Sequence, residues 1–119
     1  MVWNTNPVTQ APEGDKIVAG LEREDLFLVV ADHFISDTAA YADIVLPAAM
    51  GAEMEDIILS WGHNYLTYNA KCVDAPGEAL SNREIFRRLA AAMGYDEAEF
   101  KWSDSECLER FIDWNSPAC

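Results

Sequence analysis

Residues 31–53 read ADHFISDTAAYADIVLPAAMGAE, and this stretch decides the fold predicted for the chain. It overlaps a continuous apolar run, Leu26 to Ala31, that is typical of a parallel strand covered on both faces. Asp32 comes directly after this run, and a second apolar run, Ile44 to Leu46, ends at Pro47, which has no N–H to donate. Polar side chains therefore follow strands at the edge where open α/β sheets bind their ligands.

Upstream of the first apolar run, the sequence predicts a strand and a helix. Val2-Trp3 resembles the end of a strand, and Ile17, Val18 and Leu21 have the spacing of one helical face, which favours a helix over about residues 13–22. A strand, a helix and a strand in this order form a βαβ unit. We therefore predict an α/β fold, a Rossmann-like three-layer arrangement with a short, mainly parallel sheet flanked by helices.

The downstream half is predicted to contain two capped helices. Residues 53–60 fit a loop or a helix, and residues 61–73 fit one extended segment at a sheet edge. Ser81 to Glu84 is a capping box that opens a helix ending at Gly94. A second box, Ser103 to Glu106, opens another helix. The predicted buried residues of the two helices are Ile85, Phe86, Leu89, Ala90 and Met93, and Cys107, Leu108, Phe111 and Ile112.

Composition narrows the classes of partner. The chain has 119 residues, half of them hydrophobic, and a net charge of -13, which argues against binding to nucleic acid or to an anionic membrane surface. No apolar run approaches the roughly 20 residues of a membrane span, and no signal peptide is visible. The three cysteines, Cys72, Cys107 and Cys119, form no C-x-x-C pair, so we expect free thiols. These observations favour the bacterial cytoplasm over the periplasm.

The same residues carry a family resemblance. Asn6-Pro7, the first apolar run with Asp32, and residues 37–48 with their DTAAYADIVLPA pattern are similar to molybdopterin oxidoreductases of the dimethyl sulfoxide reductase type. The similarity continues through Glu53 and Pro76-Gly77 into the first capped helix. On this basis residues 1–95 are expected to be the core of a dinucleotide-cofactor-binding domain. Residues 96–119 are expected to form a helical extension without a recognised family match, within one compact unit.

The resemblance implies a large enzyme in which molybdenum or tungsten is held by two molybdopterin guanine dinucleotides and carries two-electron or oxygen-atom-transfer chemistry. It implies that this chain is part of one dinucleotide-binding domain, with no catalytic residue and no metal ligand of its own. The isolated chain is expected to be inactive and to hold no cofactor. Its expected partners are the remaining domains of the parent enzyme, or a further copy through exposed apolar surface. The cofactor-binding residues implied by the resemblance are Asn6, Ala31, Asp32, Glu53, Met54 and Asn82.

The chemistry of these residues suits a guanine nucleotide, although each has a structural alternative. The Asp32 carboxylate can accept hydrogen bonds from guanine or ribose, or it can cap the following turn. Asn6 offers a donor and an acceptor, or it serves the turn before Pro7. Asn82 lies at a helix N-terminus but also inside a capping box, and Glu53 can satisfy buried backbone. Two departures weaken the match, because many relatives have Lys where this chain has Met54, and Asp where it has Asn82.

Other classes of site remain open at this stage. Asp32, Asp37, Asp43 and Thr38 would suit a magnesium-dependent phosphate site. His33, His63 and Cys72 can each bind zinc, although their spacing is long and irregular. Ser36 and Ser60 lack the G-x-S-x-G context of a hydrolase nucleophile. An interaction domain without redox activity is the remaining alternative, and its docking aromatics would be Trp102, Phe111 and Trp114.

Overall fold

The computed structural model describes residues 1–113 and 115, and it divides into two compact units, Met1–Ala48 and Ala49–Cys119. The sequence predicted one compact unit, so this division corrects the expectation. The assignment of residues 1–95 to a cofactor-binding core and 96–119 to an extension stays a prediction. Trp114 and Cys119 lie outside the described residues.

The first unit contains the predicted parallel sheet. Strands β1 (Val2–Trp3), β2 (Val29–Asp32) and β3 (Ile44–Pro47) lie in the order β1-β2-β3, and both pairings are parallel. Val30 in the central strand is in register with Val2 on one side and Val45 on the other. The α/β class and the short parallel sheet are therefore confirmed.

Two short helices connect β1 to β2. Helix α1 (Pro7–Gln10) begins at proline, whose fixed φ angle and missing N–H suit the first helical position. Helix α2 (Gly14–Leu21) lies within the predicted range of 13–22. Between β2 and β3 the chain forms a 3₁₀ turn, Ala39–Tyr41.

Strand β2 begins three residues later than its apolar run predicts. Leu26 and Phe27 are exposed, and the ladder starts only where Asp43 Oδ2 accepts the Leu28 N–H at 2.6 Å. Leu28 O in turn accepts the backbone N–H groups of Asp43 and Ile44. The core beneath the sheet joins Leu28, Val30 and Ala39 with the partly buried Val2, Leu21, Ala42 and Val45.

The second unit contains an antiparallel hairpin that the sequence did not resolve. Strands β4 (Asp56–Leu59) and β5 (Leu66–Asn69) pair along their whole length. Residues 53–60, which the sequence left between loop and helix, thus start at the last residue of a 3₁₀ turn, Gly51–Glu53, and contain β4. Residues 61–73 are not one extended segment, because only Leu66–Asn69 form a strand. Trp61 at the hairpin tip is 105% exposed.

The ends of helix α3 (Asn82–Ala92) agree with the prediction, whereas its buried face agrees only in part. Ser81 Oγ accepts the Glu84 N–H, and Gly94 adopts the positive φ of +82° expected after a helix end. Ile85 is buried, but Met93 at the helix end is exposed. Ala90 is buried as predicted, Phe86 is half-buried and Leu89 is exposed.

Helix α4 (Asp104–Phe111) has the complete capping box predicted from Ser103 and Glu106. Phe111 is 62% exposed, so its predicted burial is wrong. The Arg110 guanidinium lies 4.3 Å from the centre of the Trp102 ring, and this contact covers the indole with a charged side chain. A 3₁₀ turn, Ala98–Lys101, precedes this helix.

Apolar side chains are exposed in both units. The most exposed are Phe27, Phe34 and Ile35 in the first unit and, in the second, Trp61 and Tyr65, which both lie in the hairpin loop. Within the described part of the chain no helix is long and apolar enough to cross a membrane.

Val30 is expected to dominate the stability of the sheet, because its side chain is fully buried on the central strand. Val30→Ala should lower the free energy of unfolding by about 2 kcal/mol through lost burial and a residual cavity. Val73→Ala, at a position 55% exposed, is the control and should change it by less than about 0.5 kcal/mol. Urea unfolding followed by circular dichroism measures both, and equal effects would contradict the assigned core.

Candidate functional site

Asp32 ends the central strand of the first unit, and its carboxylate organises the loop that follows. Oδ1 accepts the His33 backbone N–H at 2.7 Å, and Oδ2 accepts the Ser36 hydroxyl at 2.7 Å. Asp32 therefore caps the following turn, as its structural alternative predicted. Since each carboxylate oxygen can accept about two hydrogen bonds, the half-buried group keeps acceptor capacity for a ligand.

These contacts also keep Asp32 charged. Burial raises the pKa of the carboxyl, but hydrogen bonds from Ser36 Oγ and from the backbone N–H groups of His33 and Phe34 outweigh it, so the pKa lies below its usual value. A charged carboxylate at a strand end is a strong acceptor for neutral N–H donors.

Asn6 joins two loops of the first unit. Its Oδ1 accepts the Thr38 hydroxyl at 2.6 Å and the Thr38 backbone N–H at 3.2 Å, while Nδ2 lies 3.5 Å from Asp37 Oδ2. Asn6 thus does more than shape the turn before Pro7, because it connects residues 32 positions apart in the chain.

Ala31 lies inside the sheet. The residue is 1% exposed, and it is in register with Trp3 and Leu46. Because this exposure covers the whole residue, Ala31 offers almost no surface of its side chain or backbone to a cofactor.

Glu53 and Met54 line an open cleft of about 720 Å³ in the second unit. Glu53 Oε2 accepts the Met50 N–H at 2.8 Å. One oxygen of Glu53 therefore bonds to a backbone N–H group, which is the structural alternative given for this residue. Asn82 is the first residue of α3, and its neighbours Ser81 and Glu84 line the same cleft. The predicted site residues thus fall into a group of three in each unit.

Asp104 organises the polar wall of this cleft, a role that sequence reasoning missed. Its Oδ1 lies 2.9 Å from Arg87 and 3.4 Å from Arg83, and its Oδ2 accepts the Ser81 hydroxyl at 3.0 Å. Burial raises the pKa of Asp104, but these partners outweigh it and the pKa lies below its usual value. Arg83 also reaches Asp56 and the Glu55 carbonyl, so α3, α4 and the hairpin are joined. The four-residue spacing of the two arginines places them on one face of α3, but it does not indicate that Asp104 is their partner.

The geometry of the described residues does not form a metal site. Among residues 1–113 and 115, no group of three His, Cys, Asp or Glu side chains could hold a metal ion. Asp43 contacts Leu28 before the start of β2, whereas Asp32 is its last residue, so the proposed magnesium ligands lie at opposite ends of one strand. His33 Nδ1 lies 3.1 Å from the Ala48 carbonyl, and His63 accepts the Tyr65 N–H.

Comparison with known proteins identifies the relatives of this chain. A family model described as "Molybdopterin oxidoreductase" matches residues 1–92. "Probable oxidoreductase YoaE" of Bacillus subtilis (strain 168) is 46% identical over 112 residues, covering 94% of this chain and 16% of that protein. This match extends well past residue 95, where sequence reading recognised nothing.

Two further relatives have more specific names. The "F420-dependent formate dehydrogenase subunit alpha" of Methanocaldococcus jannaschii is 35% identical over 81% of this chain and 14% of that protein. In the solved structure of "Acetylene Hydratase from Pelobacter acetylenicus", a region with a TM-score of 0.64 and 32% identity covers 76% of this chain and 12% of that one. This chain therefore spans 12% to 16% of the length of the three relatives.

The Asp104 contacts predict a pH-dependent contribution to stability. Asp104→Asn should lower the free energy of unfolding at pH 7 by about 2 kcal/mol, because two arginines lose a charged partner. Since the folded-state pKa is lowered, this contribution is full above the ordinary aspartate pKa of about 3.9 and is lost as the pH falls through the folded value.

Denaturant unfolding at pH 7 and at pH 3 measures this difference, which should be smaller at pH 3. Asp96→Asn is the matched control, because Asp96 pairs with Lys101 on the exposed surface. A difference between wild type and Asp104→Asn that is the same at both pH values would contradict the assigned role.

Proposed function

The chain belongs to the molybdopterin oxidoreductase family, and from this membership we propose that it contributes to binding a molybdopterin guanine dinucleotide. Membership itself implies a pterin cofactor that carries molybdenum or tungsten, and the dinucleotide form is the proposal. We also propose that the activity, a two-electron or oxygen-atom transfer, belongs to a longer protein, since the relatives are much longer than this chain. When bound, the cofactor supplies the redox chemistry, and this chain's residues bind and orient it.

The position of Asp32 is the observation that supports the proposal most directly. Asp32 lies at the carboxyl end of the central strand of a parallel sheet, where α/β folds bind nucleotides. Its oxygens hold one side-chain and at least one backbone hydrogen bond and keep lone pairs for further donors. Guanine presents an N1–H and an N2 amino group side by side, and a carboxylate can accept from both. The donor and acceptor chemistry of this strand end therefore fits a guanine base.

The cleft of the second unit supports the proposal through its size and its mixed charges. Its volume is within the range of nucleotide-sized pockets. Lys71 and Arg87 line it and could meet phosphate oxygens, although each already pairs with an acidic residue. The roles of Glu53, Met54 and Asn82 in binding rest on the family resemblance.

The exposed apolar side chains suit contact with further protein. Phe34 and Ile35 in the first unit and Trp61 in the second expose most of their surface. We include in the proposal that other domains of a longer protein cover such residues. Association between copies of this chain is the alternative that sedimentation would detect.

Titration calorimetry with guanosine diphosphate tests the proposal. The wild-type chain should bind it at millimolar concentration, and Asp32→Asn should weaken binding by at least about tenfold, since a charge-assisted contact is lost. Adenosine diphosphate should bind more weakly than guanosine diphosphate, because adenine has no N1–H donor for the carboxylate.

Asp25→Asn is the matched control. Asp25 comes directly before the apolar run that Asp32 follows, but it pairs with Arg23 on the exposed surface before β2. Its replacement should leave the affinity for guanosine diphosphate unchanged. Absence of heat with wild type, or equal binding by wild type and Asp32→Asn, would refute the proposed site.

A further inference from the structure

We propose that Thr38 is a positioning residue that fixes the orientation of Asp32 before a ligand arrives. This inference rests on the proposed function, because it assigns to Thr38 a part in the same nucleotide site. Thr38 does not need to touch the ligand for this role. It acts through Asn6 on one side and through Ser36 on the other.

The hydrogen bonds around Thr38 have a fixed direction. The Val8 backbone N–H can only donate, so Thr38 Oγ1 accepts from it at 3.2 Å. The hydroxyl hydrogen of Thr38 is then directed to Asn6 Oδ1, 2.6 Å away, and the Thr38 N–H reaches the same oxygen. The three donors are the Val8 N–H, the Thr38 N–H and the Thr38 hydroxyl, and the two acceptors are Thr38 Oγ1 and Asn6 Oδ1. This pattern also fixes the orientation of the Asn6 amide.

Burial makes this arrangement rigid. Thr38 is 0% exposed, and within the described part of the chain it is the one polar residue that is buried. A buried hydroxyl without partners is costly, so the arrangement is stable only while both loops keep their positions. The loop between β1 and α1, which carries Asn6, is thereby held against residues 36–38.

Ser36 transmits this constraint to Asp32. The Ser36 hydroxyl donates to Asp32 Oδ2 at 2.7 Å, and Ser36 is only two residues from Thr38 in the same tight turn. The Ala40 N–H also bonds to the Ser36 carbonyl at 2.9 Å. A displaced Thr38 would move Ser36 and release one oxygen of the carboxylate, so the acceptor pair would no longer be held in one orientation.

The same contacts limit what Asn6 itself can offer. Its Oδ1 already accepts two hydrogen bonds, whereas Nδ2 has a single distant partner, Asp37, at 3.5 Å. Sequence reasoning assigned both a donor and an acceptor to Asn6. In the structure only the Nδ2 donor remains for a ligand, and the oxygen serves the positioning of Thr38.

Three chains test the proposal: wild type, Thr38→Val and Thr38→Ser. Valine keeps the shape but removes the hydroxyl, so the Val8 N–H loses its acceptor and should exchange with solvent at least about tenfold faster by NMR. The affinity for guanosine diphosphate should fall by about tenfold in Thr38→Val, and its preference over adenosine diphosphate should shrink. Serine keeps the hydroxyl and should restore both readouts to within about threefold of wild type.

The outcomes separate this proposal from the proposed function. Absence of guanosine diphosphate binding by wild type refutes the nucleotide site and the positioning role together. Loss of binding in Asp32→Asn with unchanged affinity and preference in Thr38→Val refutes the positioning role alone. A Thr38→Ser chain as weak as Thr38→Val does the same, because the effect would then come from packing.

A second variant keeps the test valid if Thr38→Val does not fold. Asn6→Ala removes the shared acceptor from a half-buried loop position and leaves the core intact. It should speed exchange of the Thr38 N–H and reduce the preference for guanosine over adenosine diphosphate. Wild-type preference in a folded Asn6→Ala chain would overturn the proposal.

Discussion

The pairing of β2 with a parallel strand on each side is the constraint on which the first unit depends. Backbone hydrogen bonds on both edges and a fully buried Val30 fix this short strand in register. Because parallel neighbours end at the same edge, the chain must leave the sheet there through a turn, and Asp32 accepts hydrogen bonds within it. The fold thus places a charged carboxylate at the strand end, and Thr38 and Asn6 secure the loops on either side of it.

The second unit depends on a different interaction. Its two larger helices and its hairpin are joined by ion pairs and hydrogen bonds around Asp104, Arg83 and Arg87, whereas few of its apolar side chains are fully buried. Such contacts are directional, and each removed partner leaves a partly buried charge without compensation. Asp104 and Arg87, which line the cleft, therefore also stabilise this unit.

Local patterns in the sequence predicted the features that depend on neighbouring residues. The end of β2 at Asp32, the cap at Ser81, the glycine after α3 and the Ser103–Glu106 box all appear where predicted. The contact between Asn6 and Thr38 and the contacts of Asp104 join residues that are far apart in the chain, so no local pattern indicates them. The hairpin was ambiguous because Ile57, Ile58 and Leu59 in β4 form a continuous apolar run, which does not distinguish a strand from a helix.

Under the proposed function, charge determines which part of a nucleotide the end of β2 could receive. A carboxylate whose pKa is held below its usual value repels phosphate, so Asp32 suits the neutral N–H donors of a base rather than a diphosphate. The overall charge of -13 strengthens this preference, because no general positive potential attracts the phosphates. Phosphate binding would then depend on backbone N–H groups. A ligand whose base is neutral and rich in donors is therefore a better match to the end of β2 than a small anion.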